Sequence, residues 1–173
     1  GVLNVIHGGE DVVNALCDHP DIKAISFVGS SKVGTHVYQR ASLNGKRAQC
    51  MMGAKNHAVV LPDANKEQTL NQLLGAGFGA AGQRCMAASV AVLVGAAREW
   101  LPELSAKAQT LTVGAGKDNP DLGPVISCAA KERVHSLVAK GIEQGAVLTL
   151  DGRDVKVDGY PNGNFVGPTI LSG

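Results

Sequence analysis

The N-terminal part of the chain repeats one order of patterns: an apolar run, a short turn, and then a helical spacing of apolar residues. The runs are residues 3–6 and 22–28, and the helices are predicted over residues 11–17 and 32–42. We expect Asp11 to cap the first helix, and Ile25, Phe27 and Val28 to be mostly buried. Strands that alternate with helices are typical of an α/β domain with a doubly wound parallel sheet.

The rest of the chain continues this alternation. Further strands are predicted over residues 46–52, 58–61, 90–94 and 147–150, and further helices over residues 65–79, 97–110 and 129–144. Residues 165–171 are apolar and strand-like. Glycine and proline separate these segments and mark the loops. The sequence therefore predicts an α/β fold.

Composition excludes several classes of protein. The 173 residues are about one ordinary domain, and 45% hydrophobic with 18% charged residues is a globular composition. Sixteen basic and fifteen acidic residues give a net charge of +1, and no basic cluster is present, so no nucleic-acid partner is predicted. No apolar stretch approaches the ~20 residues of a membrane span, so no membrane partner is predicted.

The chain has four cysteines, at positions 17, 50, 85 and 128. None forms a Cys-x-x-Cys pair, and the histidines show no ligand spacing, so no metal site is predicted. Free thiols at low density are typical of a reducing compartment. Three of the four, Cys17, Cys50 and Cys128, are most simply packing residues.

Cys85 is the strongest candidate for chemistry. It follows a glycine-rich segment and precedes a buried strand, so the bend between them can present its side chain at the end of a sheet. Arg84 lies next to it, and a neighbouring cation favours the nucleophilic thiolate. The alternative from composition alone is a small, inert core residue.

A second candidate is the turn at residues 27–34, where an apolar run enters a Gly-Ser turn and then a helix. The free N–H groups and dipole of a helix N-terminus can bind phosphate. The pattern is neither a P-loop nor a Gly-x-Gly-x-x-Gly fingerprint. An ordinary strand-to-helix turn with Ser30 as the N-cap explains it equally well.

Taken together, five motifs in order resemble those of the aldehyde dehydrogenase superfamily, over essentially the whole chain. The cofactor turn is residues 27–34, residues 51–56 (Met-Met-Gly-Ala-Lys-Asn) resemble the Glu-Leu-Gly-Gly-Lys motif, and residues 82–85 (Gly-Gln-Arg-Cys) resemble the nucleophile motif. Residues 122–126 and 165–169 match two later landmarks. The resemblance implies an aldehyde dehydrogenase-like α/β fold.

Within that superfamily, residues 53–57, 62–64, 82–87 and 159–165 are similar to the methylmalonate-semialdehyde dehydrogenase subfamily. This resemblance implies NAD- and coenzyme A-dependent oxidation of methylmalonate or malonate semialdehyde to propionyl-CoA or acetyl-CoA, in valine and pyrimidine catabolism. Met51 stands where hydrolytic members have the glutamate that activates water. Because methionine cannot accept a proton, its presence favours transfer of the acyl group to a thiol.

The resemblance also implies roles for single residues. Cys85 would be the nucleophile that carries a thioester, and Arg84 would bind the substrate carboxylate. Gly29 would let the backbone approach the NAD diphosphate, Ser30 would contact it, and the Met52 backbone would face the nicotinamide amide.

Residues 1–50 would be the end of the nucleotide-binding domain, and residues 51–173 the first part of the catalytic domain. The chain is expected to be an internal fragment of a longer protein, inactive alone, whose full-length form is a homotetramer. Location in the mitochondrial matrix is expected, with a bacterial cytoplasm as the alternative. Two other functions stay open: a hydrolytic aldehyde dehydrogenase for another aldehyde, and an inactive structural fragment.

Overall fold

The computed structural model describes residues 1–173. It divides into two compact units, Gly1–Ala54 and Lys55–Gly173.

The first unit is built on two parallel strands joined by a helix. Its elements are α1 (Glu10–Asp18), β1 (Ala24–Val28), α2 (Ser31–Leu43) and β2 (Arg47–Met51). β1 pairs with β2 in parallel, so that Phe27 lies opposite Cys50 and Val28 lies opposite Met51. Parallel strands need a crossover connection, and α2 supplies it. The predicted order of strand, turn and helix is confirmed for residues 22–42.

The core of this unit is small and lies between the two helices and the strand pair. Cys17, Val37 and Ala41 are buried, and Ile25 and Phe27 pack against them from β1. Successive strand residues point to opposite faces, so Val28 points away from this core and is 71% exposed. The expectation that Val28 is buried was therefore wrong.

Lys46 is the one charged side chain buried in the molecule. Its ammonium group donates hydrogen bonds to the carbonyl oxygens of Leu16, at 3.3 Å, and of His19. A cation at this position satisfies carbonyls at the C-terminal end of α1 and complements the helix dipole.

Two local predictions near the N-terminus were wrong. Residues 3–6 form no strand, because no other strand of this unit pairs with them, and the side chains of Leu3, Val5 and Ile6 are exposed. Helix α1 begins at Glu10 with Gly9 at the N-cap, so Asp11 lies inside the first turn instead of capping it. An acidic residue there still complements the helix dipole.

The second unit contains four strands and three α-helices. In chain order they are β3 (Asn56–Val60), α3 (Lys66–Phe78), β4 (Ala88–Leu93), α4 (Leu101–Gln109), α5 (Cys128–Glu143), β5 (Val147–Leu150) and β6 (Ile170–Ser172). Short 3-10 segments occupy Gly79–Gly82, Gly95–Trp100 and Gly116–Asp118. β3 pairs with β4 in parallel, whereas β5 pairs with β6 in antiparallel. The predicted α/β class is confirmed.

The strand expected over residues 165–171 is shorter than predicted. Phe165, Val166, Gly167 and Pro168 are buried but lie outside any strand. Their segment crosses the backbone at Gly152, where the Gly167 N–H donates to the Gly152 carbonyl at 2.8 Å. A Cβ atom at Gly152 would overlap the Gly167 backbone, so the close crossing itself explains this glycine.

None of the helices combines the length and the apolar character that crossing a bilayer requires.

Candidate active site

The backbone that leads into Cys85 is strained. Ala80 and Ala81 have φ of 53°, and Gly82, the next residue, has φ of 74°. Left-handed backbone is uncommon for a residue with a Cβ, and two such alanines in succession are unfavourable without support from their surroundings. Strain of this kind clusters at functional sites.

Cys85 lies in a turn between this strained segment and β4, and its side chain is exposed. The Ala87 N–H donates to the Arg84 carbonyl at 3.2 Å and closes the turn. The backbone N–H of Cys85 has no acceptor within the chain. A thiol and a free amide N–H of the same residue are therefore both available to a ligand.

Two amide side chains hold this turn. Asn56 Nδ2, at the start of β3, donates to the Cys85 carbonyl at 2.8 Å and to the Ala87 carbonyl at 3.0 Å. Gln83 Nε2 donates to the Ala80 carbonyl at 3.1 Å, and Gln83 Oε1 accepts from the Ile126 N–H at 2.9 Å. The first amide fixes the backbone after Cys85, and the second fixes the backbone before it.

Arg84 is exposed, and its side chain makes one hydrogen bond, from Nη1 to the Gly75 carbonyl at 3.3 Å. No carboxylate lies within ion-pair distance of it. Its guanidinium group therefore keeps several N–H donors for an anion, and a carboxylate can take two of them at once.

The second predicted site lies in the first unit, at the N-terminus of α2. Ser30 caps the helix, with its Oγ accepting from the Val33 N–H at 3.4 Å, so the predicted N-cap is confirmed. The amide groups of Ser31 and Lys32 have no acceptor within the chain. Exposed N–H groups at the positive end of a helix dipole suit a diphosphate. These residues therefore fit the NAD diphosphate that the family resemblance implies.

Gly29 and Met52 flank this helix end. The Gly29 N–H donates to the Met51 carbonyl at 3.1 Å, and a Cβ atom at Gly29 would lie 2.6 Å from the Phe27 ring. The Met52 side chain packs on Gly34 of α2, where an added Cβ would lie 2.8 Å from Met52 Cγ. The parallel pairing of β1 with β2 thus brings Gly29, Ser30 and Met52 to one edge of the strand pair.

Met51 closes β2, and its side chain is 54% exposed. It presents a thioether to solvent and offers no group that accepts a proton at neutral pH.

The remaining cysteines differ in their surroundings. Cys17 is buried in the core of the first unit, which confirms a packing role for this residue, and this burial raises the pKa of its thiol. Cys50 is half-buried against the same core. Cys128 is exposed at the start of α5, so the expectation that it packs in a core was wrong.

In the second unit the turn brings Arg84 and Cys85 together with Asn56 and Gln83. Asn56 and Gln83 belong to sequence motifs, but the local pattern indicates no role for them, because their hydrogen bonds reach residues 29 and 43 positions away. No group of three or more His, Cys, Asp or Glu side chains is placed to hold a metal ion.

The model of the aldehyde dehydrogenase family matches residues 1–173. The chain belongs to the aldehyde dehydrogenase family.

The chain is similar to relatives of one subfamily. The chain is 64% identical, over 99% of its length, to the mitochondrial methylmalonate-semialdehyde/malonate-semialdehyde dehydrogenase [acylating] of Mus musculus and to that of Homo sapiens. It covers 32% of each, so it spans about a third of the length of these curated relatives.

Solved structures agree with this similarity. A putative methylmalonate-semialdehyde dehydrogenase from Sinorhizobium meliloti, complexed with NAD, superimposes with a TM-score of 0.93 at 48% identity, over 98% of this chain and 35% of that one. The methylmalonate-semialdehyde dehydrogenase from Oceanimonas doudoroffii gives 0.90 at 45% identity, over 95% and 34%. The aldehyde dehydrogenase-like fold and the resemblance to this subfamily are confirmed.

Proposed function

We propose that the protein carrying this chain is an NAD-dependent, coenzyme A-acylating dehydrogenase of methylmalonate and malonate semialdehyde. The observation that carries the proposal is the exposed Cys85 on a strained turn, beside an unpaired Arg84, in a chain 64% identical to acylating semialdehyde dehydrogenases.

Cys85 is the proposed nucleophile. Its thiolate attacks the aldehyde carbon, forms a C–S bond and moves the carbonyl electron pair onto oxygen, which gives a thiohemiacetal. The Cys85 N–H, which has no acceptor within the chain, would donate to that oxyanion. Loss of hydride from the same carbon restores the carbonyl and leaves a thioester on Cys85.

Arg84 is the proposed ligand of the substrate carboxylate. It precedes the nucleophile in the chain and has donors that no acidic side chain occupies. Two parallel N–H···O bonds would hold the carboxylate and orient the aldehyde carbon toward the thiol.

NAD, when bound, accepts the hydride. Residues Gly29 and Ser30 would hold its diphosphate at the N-terminus of α2, and the Met52 backbone would face its nicotinamide amide. A solved relative complexed with NAD, similar over 98% of this chain, supports this assignment.

Coenzyme A is the proposed acyl acceptor. The C–C bond to the substrate carboxylate breaks, its electron pair stays on the α carbon and takes up a proton from water, and the carboxylate leaves as CO2, which water converts to bicarbonate. The coenzyme A thiol attacks the thioester carbonyl, its proton passes to the departing Cys85 thiolate, and propionyl-CoA or acetyl-CoA is released. Met51 supports this route, because no base stands there to activate water. The relatives' names include the word acylating, which agrees with it.

Further proposals follow from the relatives. Residues 1–50 would belong to the nucleotide-binding domain and residues 51–173 to the catalytic domain of a homotetramer. A mitochondrial location is proposed because the mammalian relatives are named mitochondrial, with a bacterial cytoplasm as the alternative. The substrates imply a role in valine and pyrimidine breakdown.

The test is NADH formation from malonate semialdehyde by the protein expressed from its complete reading frame, with and without coenzyme A. We expect sustained turnover only with coenzyme A, and acetyl-CoA as the product. Cys85→Ser should abolish turnover, whereas Cys128→Ser, which removes another exposed thiol, should not. Equal turnover without coenzyme A would indicate a hydrolytic enzyme, and no turnover at all would indicate an inactive protein.

A further inference from the structure

Side-chain packing alone does not hold the turn at Cys85 in its conformation. A half-open cavity of about 130 Å³ borders the segment before it, and Ala81 and Gly82 are among its lining residues, together with Phe78 and Val134. Ala80 and Ala81 are held in left-handed backbone immediately before this turn. A strained segment with a cavity on one side lacks protein packing contacts there, so other interactions must hold it.

Hydrogen bonds from Asn56 and Gln83 supply that restraint. Asn56 uses both hydrogens of its amide on one turn, at the carbonyls of Cys85 and Ala87. The side chain of Gln83 connects the strained Ala80 to the neighbouring loop through the Ile126 N–H and, at 3.4 Å, the Pro124 carbonyl. The Gln83 backbone N–H also donates to the Ala80 carbonyl, at 3.1 Å.

These hydrogen bonds restrain the backbone on both sides of the peptide group between Arg84 and Cys85. The amide that carries the Cys85 N–H joins Arg84 to Cys85, so it lies between the point fixed by Gln83 and the carbonyl fixed by Asn56. Fixing both sides sets the direction of this N–H and the starting position of the thiol.

We propose that Asn56 and Gln83 act together as positioning residues for Cys85, holding the nucleophile and its backbone N–H in the geometry that acyl transfer requires. Neither side chain touches the reacting atoms in this role. The effect on turnover rests on the proposed function, whereas the effect on the Cys85 thiol does not.

The test uses near-isosteric apolar variants, Asn56→Leu and Gln83→Met, in the protein expressed from its complete reading frame. Gln68→Met is the matched control, because Gln68 lies on α3 and its side chain makes no hydrogen bond within the chain. Steady-state kinetics give kcat and KM for the semialdehyde and for NAD. Alkylation by iodoacetamide, followed by mass spectrometry, gives the rate at Cys85 relative to Cys128.

We expect kcat to fall by about 10- to 100-fold in each variant, with each KM within about threefold, because a displacement near 1 Å has effects of this size. The kcat of the double variant should be little lower than that of the less active single variant, because both restraints act on one turn. The Cys85 alkylation rate should fall about threefold or more relative to Cys128, and Gln68→Met should change nothing.

Values of kcat within about twofold of wild type in both single variants would overturn the proposal, and so would losses that multiply in the double variant. If Asn56→Leu does not unfold cooperatively, Asn56→Ser replaces it, and Gln83→Glu likewise replaces Gln83→Met. A kcat within about twofold of wild type in the replacement variants would also overturn the proposal. Gln83→Glu keeps the acceptor for the Ile126 N–H, so it should lose less kcat than Gln83→Met. If the wild-type protein makes no NADH, the proposed function fails, and the alkylation rates alone decide the positioning role.

Discussion

Gly79 lies directly against the guanidinium group of Arg84, so that a Cβ atom at Gly79 would come within 2.5 Å of Arg84 Nη1. The absence of a side chain at Gly79 therefore sets where the Arg84 charge rests. Because the obstructing atoms are the far end of a flexible side chain, a larger residue would move the arginine and leave the fold intact.

Gly79→Ala should consequently weaken substrate binding without changing the stability of the fold. We expect the KM for malonate semialdehyde to rise, while the free energy of unfolding stays within about 1 kcal/mol of wild type. Gly75→Ala is a control for helix propensity, because a Cβ there meets nothing. Unchanged KM in Gly79→Ala would show that the position of Arg84 does not matter to the substrate.

Arg84→Lys keeps the positive charge but removes the planar pair of donors. We expect the KM for malonate semialdehyde to rise by about tenfold or more, since a charge-assisted bidentate contact is lost, and the KM for propanal to change much less. Parallel kinetics on the two aldehydes check this. Equal effects on both would argue against a carboxylate role for Arg84.

The four thiols should react in an order set by exposure and, between the two exposed thiols, by the proposed role of Cys85 as nucleophile. Cys17 is 1% exposed and burial raises its pKa, whereas Cys85 and Cys128 are exposed. Brief treatment with iodoacetamide at neutral pH should label Cys85 first and leave Cys17 unlabelled until the protein unfolds. Mass spectrometry of the peptides gives the order, and labelling of Cys128 as fast as Cys85 would contradict an activated nucleophile.

Lys46→Met should destabilise the first unit, because it keeps the apolar stem but leaves the Leu16 and His19 carbonyls without their donor. We expect the free energy of unfolding to fall by about 1–3 kcal/mol. Lys23→Met is the matched control, since Lys23 is exposed and its ammonium group bonds only the Pro20 carbonyl. Lys23→Met should change the free energy of unfolding by less than about 0.5 kcal/mol. Equal decreases in both variants would show that the buried hydrogen bonds of Lys46 do not stabilise the fold.

Asp151 gives a prediction for pH. Hydrogen bonds from the Arg153 side chain lower its pKa from 3.8 to about 2 in the folded protein. A lowered pKa favours the folded state above the unfolded value, so this contribution is complete above about pH 4 and is lost as the pH falls toward 2.

Asp151→Asn should therefore make the free energy of unfolding less steeply dependent on pH between about 4 and 2. Urea unfolding at a series of pH values measures the slope. Asp158→Asn, at an exposed residue outside any ion pair, is the control. An unchanged slope in Asp151→Asn would show that the Arg153 contact does not persist in solution.

Local patterns predicted what depends on near neighbours in the chain. The Ser30 cap follows from a serine just before a helical pattern, and the parallel pairing of β1 with β2 follows from the alternation of strands and helices. The candidate nucleophile could be located because glycine-rich backbone precedes it.

Properties that depend on distant parts of the chain could not be predicted. Val28 is as apolar as Phe27, and only the positions of the helices decide which of them is covered. Residues 3–6 have strand composition, but a strand exists only where another strand pairs with it. The contact of Asn56 with Cys85 joins residues 29 positions apart, and nothing in the local spacing of either residue indicates it.

The crossing of Gly152 with Gly167 makes the segment between them a closed loop that is tied at its base. Added residues at the exposed tip, near Asp158 and Pro161, would lengthen the loop at an entropic cost that grows only with the logarithm of its length. The base admits no side chain on Gly152. Natural variation in this family should therefore change the length of the loop at its tip while leaving Gly152 in place, and the tip is the natural position for an inserted epitope or fluorophore.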